Sequence, residues 1–195
     1  MLRRLGSSLV LAALLAGAFS PAAGADEDTP PPIEDYASYD PQTTCAKSPK
    51  PGSVVLGQYL VATYGGGGGA VNRGCKSGGT SEHKDGRAID WMLDATVKTD
   101  RSLAKQFLAD AFATDEEGNT HALARRMGIM YIIWNDHMYS AWDQFAREDY
   151  LSSGCPSKNK CSASLRHRNH VHISLSRPGA RGVTSWYEGR LPDSP

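Results

Sequence analysis

The stretch Ser81-Glu82-His83-Lys84-Asp85-Gly86-Arg87-Ala88-Ile89-Asp90 runs from a polar, glycine-bearing turn into a short apolar segment that continues to Leu93. Only Asp90 interrupts that segment, so Ala88 to Leu93 reads as a strand buried except where the carboxylate points. A second stretch, His167-Arg168-Asn169-His170-Val171-His172, leads into Ile173 and Leu175 and reads as the last strand, over Val171 to Leu175. Residues i and i+2 of a strand share a face, so His170 and His172 project together while Val171 and Ile173 face the other way.

Between these stretches, Leu103, Phe107, Leu108, Ala111 and Phe112 form a helical stripe, with Thr99, Asp100 and Ser102 as candidate caps. A second short helix around Thr120 to Met127 is expected to stop at Gly128. Ile129 to Trp134 is too continuously apolar and too short for anything but a central strand, and Asn135-Asp136 offers a turn into a partner over Met138 to Trp142. Residues 143 to 169 are polar and irregular. Upstream, Val54, Val55, Leu56, Tyr59, Leu60 and Val61 recur with helical spacing until Gly65. Residues 65 to 80 hold eight glycines in a loop, which no Lys-Ser/Thr pair closes as a phosphate-binding loop requires. The sum is an α+β domain with a small, mainly antiparallel sheet and flanking helices.

The chain carries 21 Lys+Arg against 21 Asp+Glu, which points to neither a polybasic nucleic-acid binder nor an acidic disordered tail. Arg3 and Arg4 precede an apolar run from Leu9 to Phe19 and then Ala23-Gly24-Ala25, the layout of a signal peptide over 1–25. The run is shorter than the roughly 20 residues that span a bilayer, so a transmembrane anchor is disfavoured. Loss of the two arginines gives a mature charge of about −2. A proline-rich spacer over 26–51 follows, then the folded domain over 52–190 and a tail over 191–195. No transmembrane segment is expected in the mature protein, which reads as a monomer, secreted or at the cell wall. In an oxidising compartment Cys45, Cys75, Cys155 and Cys161 read as two disulfides. Cys155 and Cys161 enclose five residues and are expected to close a local loop, which leaves Cys45 for Cys75. A zinc site built from the cysteines lacks the close C-x2-4-C spacing.

An imidazole and a carboxylate from one segment, with an imidazole from another, form a three-ligand zinc site whose fourth position is open. Such a site is catalytic in form: it acidifies water to a pKa of about 7 and polarises a carbonyl. The pattern S-x-H-x-x-G-x-A-x-D over 81–90, with His-x-His over 170–172, resembles the zinc peptidases that include D-alanyl-D-alanine carboxypeptidases, lysostaphin-type endopeptidases and the hedgehog amino-terminal domain. The resemblance covers roughly residues 81–90 and 167–174. It implies a hedgehog or D-Ala-D-Ala peptidase-like fold, with one Zn2+ per chain on His83, Asp90 and His172, and His170 as the catalytic histidine. His-x-x-His-x-His is also similar to the penicillin-insensitive murein endopeptidases, where the first histidine is functional, which makes His167 a second catalytic candidate.

Gly86 permits the turn in the metal-bearing loop, and Ser81 is read as bonding locally or orienting a ligand. Arg73 and Arg87 are candidates for a substrate carboxylate, against surface solvation. Asn169 stands where the carboxypeptidase branch places an acid, so a carboxylate base there is excluded and an endopeptidase is favoured. Trp134, Trp142, Tyr131 and Tyr139 are read as core, with a groove for glycan or peptide as the alternative. The resulting expectation is a secreted zinc metallopeptidase that hydrolyses amide bonds in peptidoglycan peptides, as endopeptidase or D,D-carboxypeptidase. The alternatives are a zinc-stabilised binding module without activity and a metal-free disulfide-stabilised adhesion domain.

Overall fold

The computed structural model describes residues 33–191. The expected leader, the first part of the spacer and all but the first residue of the tail lie outside them. Four helices, α1 (Pro51–Tyr64), α2 (Lys98–Phe112), α3 (Ala122–Arg126) and α4 (Arg177–Arg181), accompany six strands. These are β1 (Gly67–Gly68), β2 (Ala88–Met92), β3 (Ile129–Trp134), β4 (His137–Ser140), β5 (Arg147–Asp149) and β6 (Val171–Leu175). They form one sheet in the order β1-β2-β6-β3-β4-β5, antiparallel throughout, so the domain is α+β.

The two-residue alternation of the strands sorts the sheet's faces. Ile89, Trp91, Val171, Ile173, Ile132 and Trp134 turn to one side and are buried against Leu56, Leu60 and Tyr64 of α1, Phe107 and Ala111 of α2 and Ala124 of α3. The other side carries Asp90, His172, Tyr131 and Ile133. A second, smaller apolar cluster of Met130, Tyr131 and Ile133 lies there, with Met138 and Tyr150 against it. In the register of β2 on β6, Asp90 stands directly across from His172, and β3 brings Ile133 opposite the same histidine. Two polar side chains that would be costly singly in an apolar sheet are therefore placed as a pair by strand pairing alone.

Where helix and strand periodicity were strong, the expected elements are present. The hairpin turn at Asn135-Asp136 has φ of 47° and 67°, the left-handed pair that a two-residue hairpin requires. Four details differ. Helix α2 begins at Lys98 with Val97 before it and no side-chain cap, because Asp100 instead accepts a hydrogen bond from the Asp94 amide in the preceding turn. The glycine-rich segment contributes an edge strand, since Gly67 and Gly68 pair with Met92 and Trp91. A Cβ on neighbouring Gly69 would come within 2.4 Å of the Asp90 carbonyl, so only glycine lies this close to β2. The polar 143–169 region holds strand β5, and Trp142 falls outside β4.

The fourth difference concerns the segment before α1. Residues 33–50 form no helix or strand but are strapped to the domain, so order extends back beyond Gly52. Glu34 accepts from the amide and hydroxyl of Ser185 and, through its carbonyl, from Arg125. Tyr36 bonds His121 at 2.8 Å, and Asp40 pairs with Arg177 at 2.7 Å. Both disulfides are formed as expected, Cys45 with Cys75 and Cys155 with Cys161, and no described cysteine is free. No helix among the described residues is long and apolar enough to cross a membrane.

Candidate metal centre

His83 lies in a single 3-10 turn over Glu82–Asp85 that ends at Gly86, whose φ of 71° is left-handed. A Cβ there would meet the Ser48 carbonyl at 2.7 Å, so the turn needs glycine. The strap holds this turn from outside. Ala46 donates to the Lys84 carbonyl, Lys50 to the Gly86 carbonyl, Thr44 to the Asp85 carboxylate, and the Ser81 amide donates to Gln42. The Cys45–Cys75 bond fastens the strap to the loop preceding the turn.

From this frame the His83 Nε2 atom reaches Asp90 Oδ1 at 3.0 Å and His172 Nδ1 at 3.2 Å, and the latter two are 3.2 Å apart. A tetrahedral ion with bonds of about 2.0–2.1 Å separates adjacent donor atoms by about 3.3–3.4 Å, so the triangle fits such an ion. The His172 Nε2 atom is 3.0 Å from the Ser174 hydroxyl. A proton placed on Nε2, toward Ser174, would leave the Nδ1 lone pair to an ion between Asp90 and His83, the tautomer a metal ligand needs. His83 is fully buried and its Nδ1 has no partner among the described residues, whereas Asp90 and His170 keep 13% of their side chains exposed. The centre is closed on the His83 side and open on the other.

Burial pushes the Asp90 carboxyl up, but the imidazoles of His172 and His83 outweigh it and hold it well below the usual carboxylate range. Burial lowers the pKa of His83 and of His170, and pushes His167 down to about 2 with help from His172 and His170. These imidazoles are neutral at physiological pH and available as ligands or bases. The described residues thus hold a group able to bind a metal, His83, Asp90 and His172. A looser set, His167, His170 and His172, shares one member with it.

His170 stands just before β6, with Nε2 3.4 Å from Asp90 Oδ1 and Nδ1 2.9 Å from Asn169 Oδ1. An amide oxygen only accepts, so Nδ1 carries the proton and Nε2 offers its lone pair toward the centre. The Asn169 amide nitrogen in turn donates to Ser164, which fixes this orientation. His167 is brought to the same place, with ring centroids 4.9 Å from His170 and 5.4 Å from His172.

These groups open onto a cavity of about 650 Å³, lined by Arg73, Ser81, Glu82, Tyr131, Tyr150 and Asn169 beside Asp90, His167, His170 and His172. A separate apolar cavity of about 410 Å³ lies between α1, the glycine segment and β2, and contains none of the histidines. Of the two arginines considered for a substrate carboxylate, Arg73 is exposed at the first cavity. Arg87 is 2% exposed, with its guanidinium held by Asp85, the Leu175 carbonyl and the Asp40 carbonyl, which corrects both its ligand-binding and its solvated reading. The Ser81 hydroxyl makes no hydrogen bond to a ligand among the described residues. Of the aromatics, Trp134 and Tyr139 pack in or against the core, Tyr131 lines the cavity, and Trp142 is 43% exposed.

Residues 45–161, well over half the chain, match the family model described as VldE, C-terminal domain. The chain belongs to that family. No curated protein matches it, and no solved structure does. The VldE C-terminal domain match begins and ends on disulfide cysteines and takes in all four of them, together with His83 and Asp90. It stops short of His167, His170 and His172, so strand β6, which completes the candidate centre, lies outside the matched span. Glu82 and Ser174 are cavity or supporting groups that the sequence reading did not assign, and Asn169 was noted there only as replacing an acid. For Glu82 and Ser174 the one signal is nearness to histidines already singled out.

Proposed function

We propose that the protein is an exported zinc-dependent peptidase that hydrolyses amide bonds in peptidoglycan peptides, with His83, Asp90 and His172 as the zinc ligands. The observation that carries the reading is the triangle of acceptor atoms, 3.0, 3.2 and 3.2 Å on a side, open to a large cavity with the His170 imidazole, outside the triangle, at its edge. A zinc ion held there supplies Lewis acidity, polarising a scissile carbonyl and acidifying water near neutral pH.

The chain's own groups divide the remaining work. His170, neutral and with Nε2 facing the centre, accepts a proton from water during attack and returns it to the leaving amine. Asn169 holds that imidazole in the required tautomer. Arg73, exposed at the cavity and in no ion pair among the described residues, is available to a substrate carboxylate. The two disulfides fit an extracellular setting.

The test is elemental analysis of the purified secreted form, with the same sample incubated with peptidoglycan and the released amines and fragment masses followed. One zinc per chain and chelator-sensitive cleavage are expected. Zinc without cleavage would leave the binding module, and a metal-free protein would overturn the reading. His83→Ala and His172→Ala are expected to lose stoichiometric zinc, whereas His170→Ala should keep zinc and lose turnover by about 10²–10⁴-fold.

A further inference from the structure

We infer that Glu82 accepts the ammonium group of the substrate, so that the peptide cleaved carries a free amine close to the scissile amide. The inference rests on the peptidase reading of the cavity. Glu82 opens the turn whose next residue is His83, and it is 4% exposed. Its one side-chain hydrogen bond comes from the Tyr131 hydroxyl, 2.7 Å from Oε2. No lysine, arginine or histidine nitrogen pairs with it among the described residues, and its Oε1 has no protein donor there.

Of the domain's other well-buried carboxylates, Asp85 is matched by Arg87 at 3.1 Å and Asp136 by Arg166 at 2.7 Å, while Asp90 lies among the imidazoles of the candidate centre. A carboxylate buried without a cation is unfavourable, and a phenol offsets that only in part. Glu82 and Tyr131 both line the cavity, and the Tyr131 ring stacks on His172 at 5.6 Å between centroids. The Glu82 side chain therefore lies at the cavity wall, one aromatic ring from a proposed metal ligand. A primary ammonium brings the missing charge, with three N–H donors for Oε1 and neighbouring acceptors.

The test titrates the zinc-loaded protein calorimetrically with a dialanine peptide and with its N-acetyl form. The wild type is expected to bind the free amine about tenfold more tightly, the scale of one charge-assisted hydrogen bond. Glu82→Gln, checked for zinc content and melting, is expected to bind the two forms alike. A preference that survives in E82Q would put the amine on the metal and overturn the inference, as would equal binding by the wild type. Loss of zinc from folded E82Q would make Glu82 a metal ligand and overturn it too. If E82Q does not fold, the wild-type comparison decides alone, and equal binding of the two peptides is the overturning result. Because binding is read without turnover, this outcome stands apart from whether the protein hydrolyses peptidoglycan.

Discussion

The supporting residues of the centre carry separate consequences. On the proposed zinc reading, Ser174 favours the ligand tautomer of His172, so Ser174→Ala should weaken zinc affinity about 10- to 100-fold with the fold intact, measured by competition with a chromogenic chelator. Asn169→Ala should leave zinc content unchanged and lower turnover on the same scale, because it releases His170 rather than a ligand. Farther out, Asp136 meets Arg166 in a bidentate pair, 2.7 Å at both oxygens, which pins the loop bearing His167 to the β3–β4 turn. Arg166 holds the Asp136 carboxyl below its ordinary value. The pair's contribution is therefore present above the unfolded pKa of about 4 and is lost as pH falls through the lower folded-state value. Asp136→Asn should melt lower at pH 7 and lose less on acidification to pH 2 than the wild type does. The meeting of His83, Asp90 and His172 was legible in the sequence because motif spacing bears on all three and strand periodicity on Asp90 and His172. Glu82 and Arg87 were not: a charged residue in a polar turn gives no sign of burial, and theirs is imposed by the strap and by Tyr131, remote in sequence.

Among the elements, α1 and α4 meet so closely that a Cβ on Gly52 would lie 2.1 Å from the Gly179 carbonyl. Gly52→Ala should cost about 1–3 kcal/mol, the scale of overpacking against backbone, read from urea melts. The Cys45–Cys75 bond spans 30 residues, and by loop entropy its removal should cost about 3–4 kcal/mol. Because it also anchors the strap to the loop before His83, Cys45→Ser with Cys75→Ser should release zinc faster than a Cys155/Cys161 double mutant does. Strands β2, β3 and β6 were legible as apolar or alternating runs. The sequence reading missed β1, β5 and α4 for a physical reason. Two glycines, three exposed charged residues and a five-residue Pro-Gly helix have no periodicity of their own, and neighbouring backbone defines them. Residues 26–51 were read as a spacer because their six prolines disfavour regular structure, but irregular backbone that finds hydrogen bonds elsewhere, as over 33–50, is still ordered.

At the scale of the molecule, the fold class followed from the order of short strands and helices, while the sheet's strand order did not, since pairing between distant segments leaves no local trace. A ligand that binds only the folded state stabilises it by RT ln(1 + [L]/Kd), about 2.7 kcal/mol at a hundredfold excess over Kd. Chelation should accordingly lower the melting temperature of the wild type reversibly and leave His83→Ala unmoved. The sheet order also sets a sequence of events during folding. Strand β6 is the last to leave the ribosome yet sits between β2 and β3, pairing with both. Until it arrives, each of those strands is a bare edge, and His83 and Asp90 wait for a partner 82 residues downstream of the carboxylate. The domain therefore folds through contacts of long sequence separation, a slow route on which a nascent chain exposes two sticky strand edges. A chain that stops before Val171 would be left as two unjoined half-sheets, so the sheet can close only once the whole domain is available.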